Sequence, residues 1–372
     1  MHPQLEPFAR EAFALVPAGT ELLDAHTHLG NDEDGSSLHV EGLLRQLDEA
    51  GVARCCVFPL HDPERHPAYR VPNDRVLEWA AASEGRLVPF CRLDPAEGAI
   101  AEAERCLARG ARGIKLHPRA QAFVFGKDET DAILALGAEA GVPVLVHAGR
   151  GMAPIADALS RAALRHPDLV LILAHGGIAD QGVFTSILAE HPGVLYDSSV
   201  FSPLDLLELL ARVPVERVVF GSDPPYGRPI LALYTATRVA ATSGLGEDEV
   251  RALLGGTAAM ALEGRRPAPA NGVARPRTIT MWGSLARIYA YCAMAMGAIR
   301  VGARAAAREQ VDLAIAACRD PDPAQAAGAL ERARPALEAA SAGLGSENGP
   351  APLRLVYAVM VLAATEPAEA RD

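Results

Sequence analysis

The stretch LLDAHTHLG, residues 22–30, reads as a short buried strand that ends in an HxH pair. Side chains alternate along an extended chain, so His26 and His28 point the same way and stand side by side. Seven more apolar runs rich in Val, Ile and Leu follow, at residues 53–60, 87–93, 113–117, 143–147, 170–175, 194–197 and 217–223. Amphipathic stretches of helical period separate and follow them, at 40–50, 74–83, 100–109, 130–140, 154–165, 184–190, 203–211 and 230–242. Eight repeats of strand then helix, with strands apolar throughout, predict an α/β chain whose residues 1–264 close into a (β/α)8 TIM barrel. An open doubly wound sheet is the alternative arrangement for such alternation.

Beyond residue 264 the texture changes. Prolines and glycines crowd into GRRPAPANGVARPR, which predicts a linker over 265–277. Residues 278–372 are rich in Ala and Arg and predict an all-helical appendage, with helices near 278–307, 309–318, 323–342 and 352–364. Apolar side chains nearly encircle the first of these (Trp282, Leu285, Ile288, Tyr289, Tyr291, Met294, Met296), so it should be buried against the barrel, its sister helices or another subunit. That surface is the basis for expecting a homo-oligomer.

Hydrophobic residues make up 50% of the 372, enough for a large folded core. Acidic residues outnumber basic ones, 46 to 35, and no basic cluster is long enough to grip a phosphate backbone, so no nucleic-acid partner is expected. The six cysteines form no CxxC pair, which argues against a thiolate zinc site or a disulfide framework. The opening MHPQLEPFAREAFALVP lacks the basic start and apolar run of a signal peptide, and the stretch 288–299 is shorter than the ~20 residues that span a bilayer. A cytoplasmic protein with no membrane partner is the expectation.

Five ionisable residues close strands at the end on which barrel enzymes build their sites: His26 and His28, His147 in VLVHAG, His175 in LILAHGG, and Asp223 in VVFGSDPPYG. Singly, each has an ordinary explanation: a chance HxH, a hydrogen-bonded core histidine, or an aspartate forming a turn before Pro-Pro. Four strands that each place an imidazole or carboxylate at their end point instead to one shared site. Neutral imidazole with carboxylate is the donor set of Zn2+ and similar divalent cations.

In order and spacing, DAHTHLG, GIKLHP, VLVHAG, LAHGG and FGSDPPY resemble the amidohydrolase superfamily, in particular the amidohydrolase 2 branch, from residue 21 to about 264. LLGGTAAMAL is similar to the helix that closes such domains, though the family usually has Asn where this chain has Thr257. The resemblance implies that His26, His28, His147 and Asp223 are metal ligands. It implies that His175 beside them is an acid, base or polarising group, or a ligand of a second ion. A divalent cation lowers the pKa of its water from 15.7 to about 7. Asp223 would then move the proton to the leaving group while His175 or the cation stabilises the oxyanion. One ion is expected, Zn2+ first among candidates, and two if Lys115 is carbamylated as in other branches.

Lys115 and His117 in GIKLHP share strand parity and should both face inward. Lys115 is one of only two lysines, and its expected role is an ammonium that meets Asp223 or a substrate carboxylate. His117 is expected to contact substrate or buttress a ligand, and Arg150 or Arg119 to fork onto an anionic group. Asp24 is a candidate orienter of imidazole, His61 and Asp62 border the second strand's mouth, and Tyr226 shapes the rim. The function so implied is a metal-dependent hydrolase using activated water on an amide, lactone or ester carbonyl of a small, anionic substrate. The alternatives are a metal-dependent, non-oxidative decarboxylase of the same branch, or a non-catalytic scaffold.

Overall fold

A computed structural model describes residues 1–149, 153–267, 280–320, 324–345 and 349–366. The eight apolar runs form eight parallel strands. They are β1 (Leu23–Asn31), β2 (Arg54–Pro59), β3 (Leu87–Pro89, resumed at Cys91–Arg92), β4 (Ile114–Leu116), β5 (Val144–His147), β6 (Leu171–Ala174), β7 (Val194–Asp197) and β8 (Val218–Val219). Each pairs with the next in chain order. Phe90 bridges the two pieces of β3, its N–H donating to the Val57 carbonyl at 2.8 Å. The ring closes between β8 and β1, where Ala25 N–H donates to Phe220 at 2.8 Å and Asp223 N–H to His26 at 2.7 Å. The fold is the (β/α)8 barrel, not the open sheet.

Alternation along the strands sorts the core into two layers. Leu23, Cys56, Phe58, Phe90, Leu145, Ile172, Leu195 and Val219 fill the barrel, while Cys55, Val57, Ile114, Leu116, Val144, Val146, Leu173 and Val218 face the helices. The outer ring follows α1 (Glu6–Ala14) and consists of α2 (Val40–Glu49), α3 (Arg70–Ala81), α4 (Ala99–Ala108), α5 (Asp128–Ala140), α6 (Ala156–Leu164), α7 (Gln181–Ile187), α8 (Pro203–Arg212) and α9 (Pro229–Thr242). Local chemistry fixes the start of one of them. At α8, Ser202 accepts from the Asp205 N–H and Asp205 accepts from the Ser202 N–H, with Pro203 in the first turn.

After α10 (Glu247–Arg251) and α11 (Thr257–Leu262) come four long helices, α12 (Gly283–Arg300), α13 (Arg304–Ala317), α14 (Ala324–Gly345) and α15 (Ala351–Thr365). They pack as a ring of neighbours, α12 on α13, α13 on α14, α14 on α15 and α15 on α12. The apolar first helix thus buries itself among its sisters, and α15 lies against α8 and α9 on the outside of the barrel. Tyr357 Oη donates to the Phe201 carbonyl at 2.8 Å and meets Thr235 Oγ1 at 2.9 Å. Arg238 of α9 and Arg332 of α14 both pair with Glu11 and Glu366. Most of the predicted linker lies outside the described residues. No described helix is long and apolar enough to cross a membrane.

Candidate functional site

Parity alone places Phe58, Arg92, Lys115, His117, His147, Asp197 and Asp223 on the barrel's inner face. His26, His28 and His175 need more. From Leu23 and Ala25, strict alternation would turn His26 and His28 outward, but the β1–β2 register shifts between Asp24 and Thr27, and the extra residue turns both histidines inward. His175 follows Ala174, which already faces in, and its φ of 54° swings the side chain back into the barrel. Asp223 sits at φ 56°. Non-glycine residues rarely adopt this left-handed region, and His175 and Asp223 both do so at the mouth of the barrel.

Three electron-pair donors converge at the mouth. His28 Nε2 lies 3.2 Å from His26 Nε2, and Asp223 Oδ1 lies 3.3 Å from His26 Nε2 and 3.2 Å from His28 Nε2. All three residues are buried, and Asp223 Oδ1 accepts no hydrogen bond from any described residue. Burial, then the nearby Lys115 charge, holds both imidazoles well below their ordinary pKa, so they are neutral. Burial raises Asp223 to about 6, with His175 and Lys115 pulling the other way.

Behind this trio runs a hydrogen-bonded chain that fixes the tautomers. The Asp197 carboxylate only accepts, so His26 Nδ1–H donates to Oδ2 at 2.6 Å and Ser199 Oγ–H donates to the same oxygen at 2.7 Å. With its proton committed, Ser199 Oγ accepts from His175 Nδ1–H at 3.0 Å. His175 Nε2 then accepts from His147 Nδ1–H at 3.1 Å. The chain leaves Nε2 of both His26 and His147 with a free electron pair. His117 stacks on His147, with ring centroids 3.8 Å apart. Gly221 makes room for this chain, since a Cβ there would collide with Asp197 Oδ1.

The donor set fits a divalent cation. Ligand atoms about 2.0–2.1 Å from a tetrahedral Zn2+ lie about 3.3–3.4 Å from one another, close to the spacing of His26, His28 and Asp223. Without a cation, His28 Nε2 meets the free electron pair of His26 Nε2, while His28 Nδ1 and Asp223 Oδ1, both buried, find no hydrogen-bond partner among the described residues. A second group that could hold an ion, His26, His175 and Asp197, is instead closed by the hydrogen bonds just described. His147 is not within the tight trio and meets it through His175.

Lys115 is fully buried, its Nζ 3.5 Å from His26 Nε2 and 4.6 Å from the centre of the Phe58 ring. Burial lowers it to about 7. Arg119 is exposed, and Arg150 lies outside the described residues. Asp24 does not touch an imidazole: it accepts the N–H of His26 at 3.0 Å and both the N–H and hydroxyl of Ser222, tying β1 to the segment after β8. Sequence reasoning missed Asp197 and Arg92, although Asp197 ends its strand like the residues it did mark.

A search of curated proteins finds no match to this chain. Among solved structures it is similar to 2,6-dihydroxybenzoate decarboxylase from Rhizobium, at 16% identity and a TM-score of 0.51, covering 66% of this chain and 98% of that one. It is also similar to 5-carboxyvanillate decarboxylase from Sphingomonas paucimobilis, at 17% identity and a TM-score of 0.51, covering 66% and 99%. A probable 2-pyrone-4,6-dicarboxylic acid hydrolase from Acinetobacter baumannii matches at 14% identity and a TM-score of 0.51, covering 65% and 99%. The family model described as amidohydrolase matches residues 23–263, which span β1 to α11 and contain every one of the convergent groups, and the chain therefore belongs to the amidohydrolase 2 family.

Proposed function

We propose that this chain is a metal-dependent hydrolase that adds water to an amide, lactone or ester carbonyl of a small, anionic substrate. The observation that carries this is the buried trio of His26 Nε2, His28 Nε2 and Asp223 Oδ1, each within 3.3 Å of the others. Those three with His147 Nε2 make a three-imidazole, one-carboxylate set of the kind that suits Zn2+. A divalent cation held there supplies Lewis acidity, lowering the pKa of a water from 15.7 to about 7 and polarising a carbonyl.

The protein's own groups do the rest. Asp223 receives the proton of the attacking water on its carboxylate and returns it to the leaving group. His175 is assigned to the oxygen on which charge develops, and donates to it once Nε2 carries a proton in place of the bond it accepts from His147. Lys115, His117 and Arg150 are assigned to the substrate's polar and anionic groups. Residues 1–264 carry this chemistry, 265–277 serve as a linker, and 278–372 form a helical appendage, of which α15 packs against α8 and α9. The free cysteines accord with a cytoplasmic setting.

The test is isotopic. With candidate substrates and protein purified without chelator, 18O from labelled water should enter the product, and metal analysis should find about one divalent ion per chain. Release of CO2 without 18O uptake would replace the hydrolase with a decarboxylase. Absence of any bound metal would overturn both.

A further inference from the structure

We propose that Arg92 is the anchor for a carboxylate of the substrate, an inference that names the anionic group of the reaction above and rests on it for the position of the reacting carbonyl. Arg92 ends the second piece of β3 and pairs in register with Lys115 of β4. Residues in register on parallel strands share a face, and Arg92 also shares parity with Phe90 inside the barrel. The side chain therefore enters the barrel at the end that carries the histidines.

Its surroundings account for only half of it. The side chain is 1% exposed. Nη1 donates to the Pro59 carbonyl at 3.1 Å, and the guanidinium carbon lies 5.1 Å from the centre of the Tyr69 ring. Nε and Nη2, also buried, have no acceptor among the described residues, and no described carboxylate lies within 4.0 Å to balance the charge. Asp32 acts on Arg92 only from further off, and its own carboxylate accepts from the His61 N–H at 3.0 Å and the Tyr226 hydroxyl at 3.1 Å.

A purely structural strut does not explain this pattern. A guanidinium stays ionised, so a water can satisfy an N–H but leaves a buried charge without its counter-ion. Moreover, the two idle nitrogens lie on one edge of the guanidinium, and together they form the side-on fork that matches the two oxygens of a carboxylate. Lys115, on the adjacent strand and 3.5 Å from His26 Nε2, extends positive charge from the fork toward the trio. A carboxylate held at β3 would thus place the rest of a small substrate toward β1 and β8.

The test measures binding of benzoate and its uncharged analogue benzamide by calorimetry, on Zn2+-loaded and metal-free protein, for wild type, Arg92→Met and Arg92→Lys. Wild type should prefer benzoate over benzamide by at least about tenfold, and Arg92→Met should lose that preference while its Zn2+ affinity stays unchanged. Arg92→Lys, which keeps the charge without the fork, should weaken benzoate by about tenfold. It carries the test if Arg92→Met does not fold. Equal binding of benzoate and benzamide, or a preference unchanged in the variants, overturns the anchor and leaves the metal site standing. Inorganic phosphate competing as well as benzoate overturns the assignment to a carboxylate. Loss of Zn2+ binding by wild type with benzoate preference intact sinks the hydrolase and spares the anchor.

Discussion

His26 Nδ1 and Asp197 Oδ2, 171 residues apart in sequence, meet at 2.6 Å between β1 and β7. The contact holds the imidazole in the tautomer whose other nitrogen faces His28 and Asp223. The same carboxylate also takes the Ser199 hydroxyl and the N–H groups of His175 and Ser199. One residue thereby fixes the orientation of His26 and the position of His175 together.

Replacing Asp197 with Asn should therefore weaken Zn2+ binding by roughly 10- to 100-fold. Competition against a chelating dye measures the affinity, and the imidazole proton resonance of His26 in NMR spectra reports whether Nδ1 keeps its proton. An unchanged affinity with an unchanged resonance would remove Asp197 from its positioning role.

Asp223→Asn should lower kcat by about 10²- to 10⁴-fold. Its effect on metal-free stability has the opposite sign. Burial raises the carboxyl to about 6, above its value in an unfolded chain, so above that pH the fold carries a charge that the unfolded state solvates better. Metal-free Asp223→Asn at pH 8 should melt no lower than metal-free wild type, and scanning calorimetry decides it.

Tyr357→Phe should destabilise the protein by about 1 kcal/mol, because the change removes the bond to the Phe201 carbonyl and the contact with Thr235 that seat α15 on the barrel. Urea unfolding measures the loss. Zn2+ affinity should not change, since Tyr357 lies outside the barrel.

Glu102 gives an acid-range test. Burial alone would raise its pKa, but bonds from Arg105, Asn73 and Cys106 outweigh burial and lower it. A carboxylate whose folded pKa is depressed stabilises the fold above its unfolded value, and the benefit disappears as pH falls through the folded one. Wild type should exceed Glu102→Gln in urea midpoint at pH 7, and the gap should close as pH falls below about 4.

The barrel was legible because each strand is apolar on both faces and each helix carries a single stripe, so the eight repeats could be counted from composition and period. The strand-end histidines and Asp223 were legible for the same reason, as polar residues closing apolar runs. What sequence could not supply was direction. The inward turn of His26 and His28 depends on a register shift within β1, and that of His175 on a left-handed backbone, neither of which alternation predicts. Asp197 and Arg92 escaped because their importance lies in partners met or lacking across the barrel. The docking side of the helical appendage was equally hidden, since an apolar helix surface does not specify what covers it.

The left-handed conformations of His175 and Asp223 set the terms on which this protein can drift or be redesigned. Glycine adopts such angles without steric cost, so a glycine at either point would ease the backbone while taking the imidazole or carboxylate away from the barrel mouth. Transplanting the same side chains onto regular strand ends of another barrel would misdirect them.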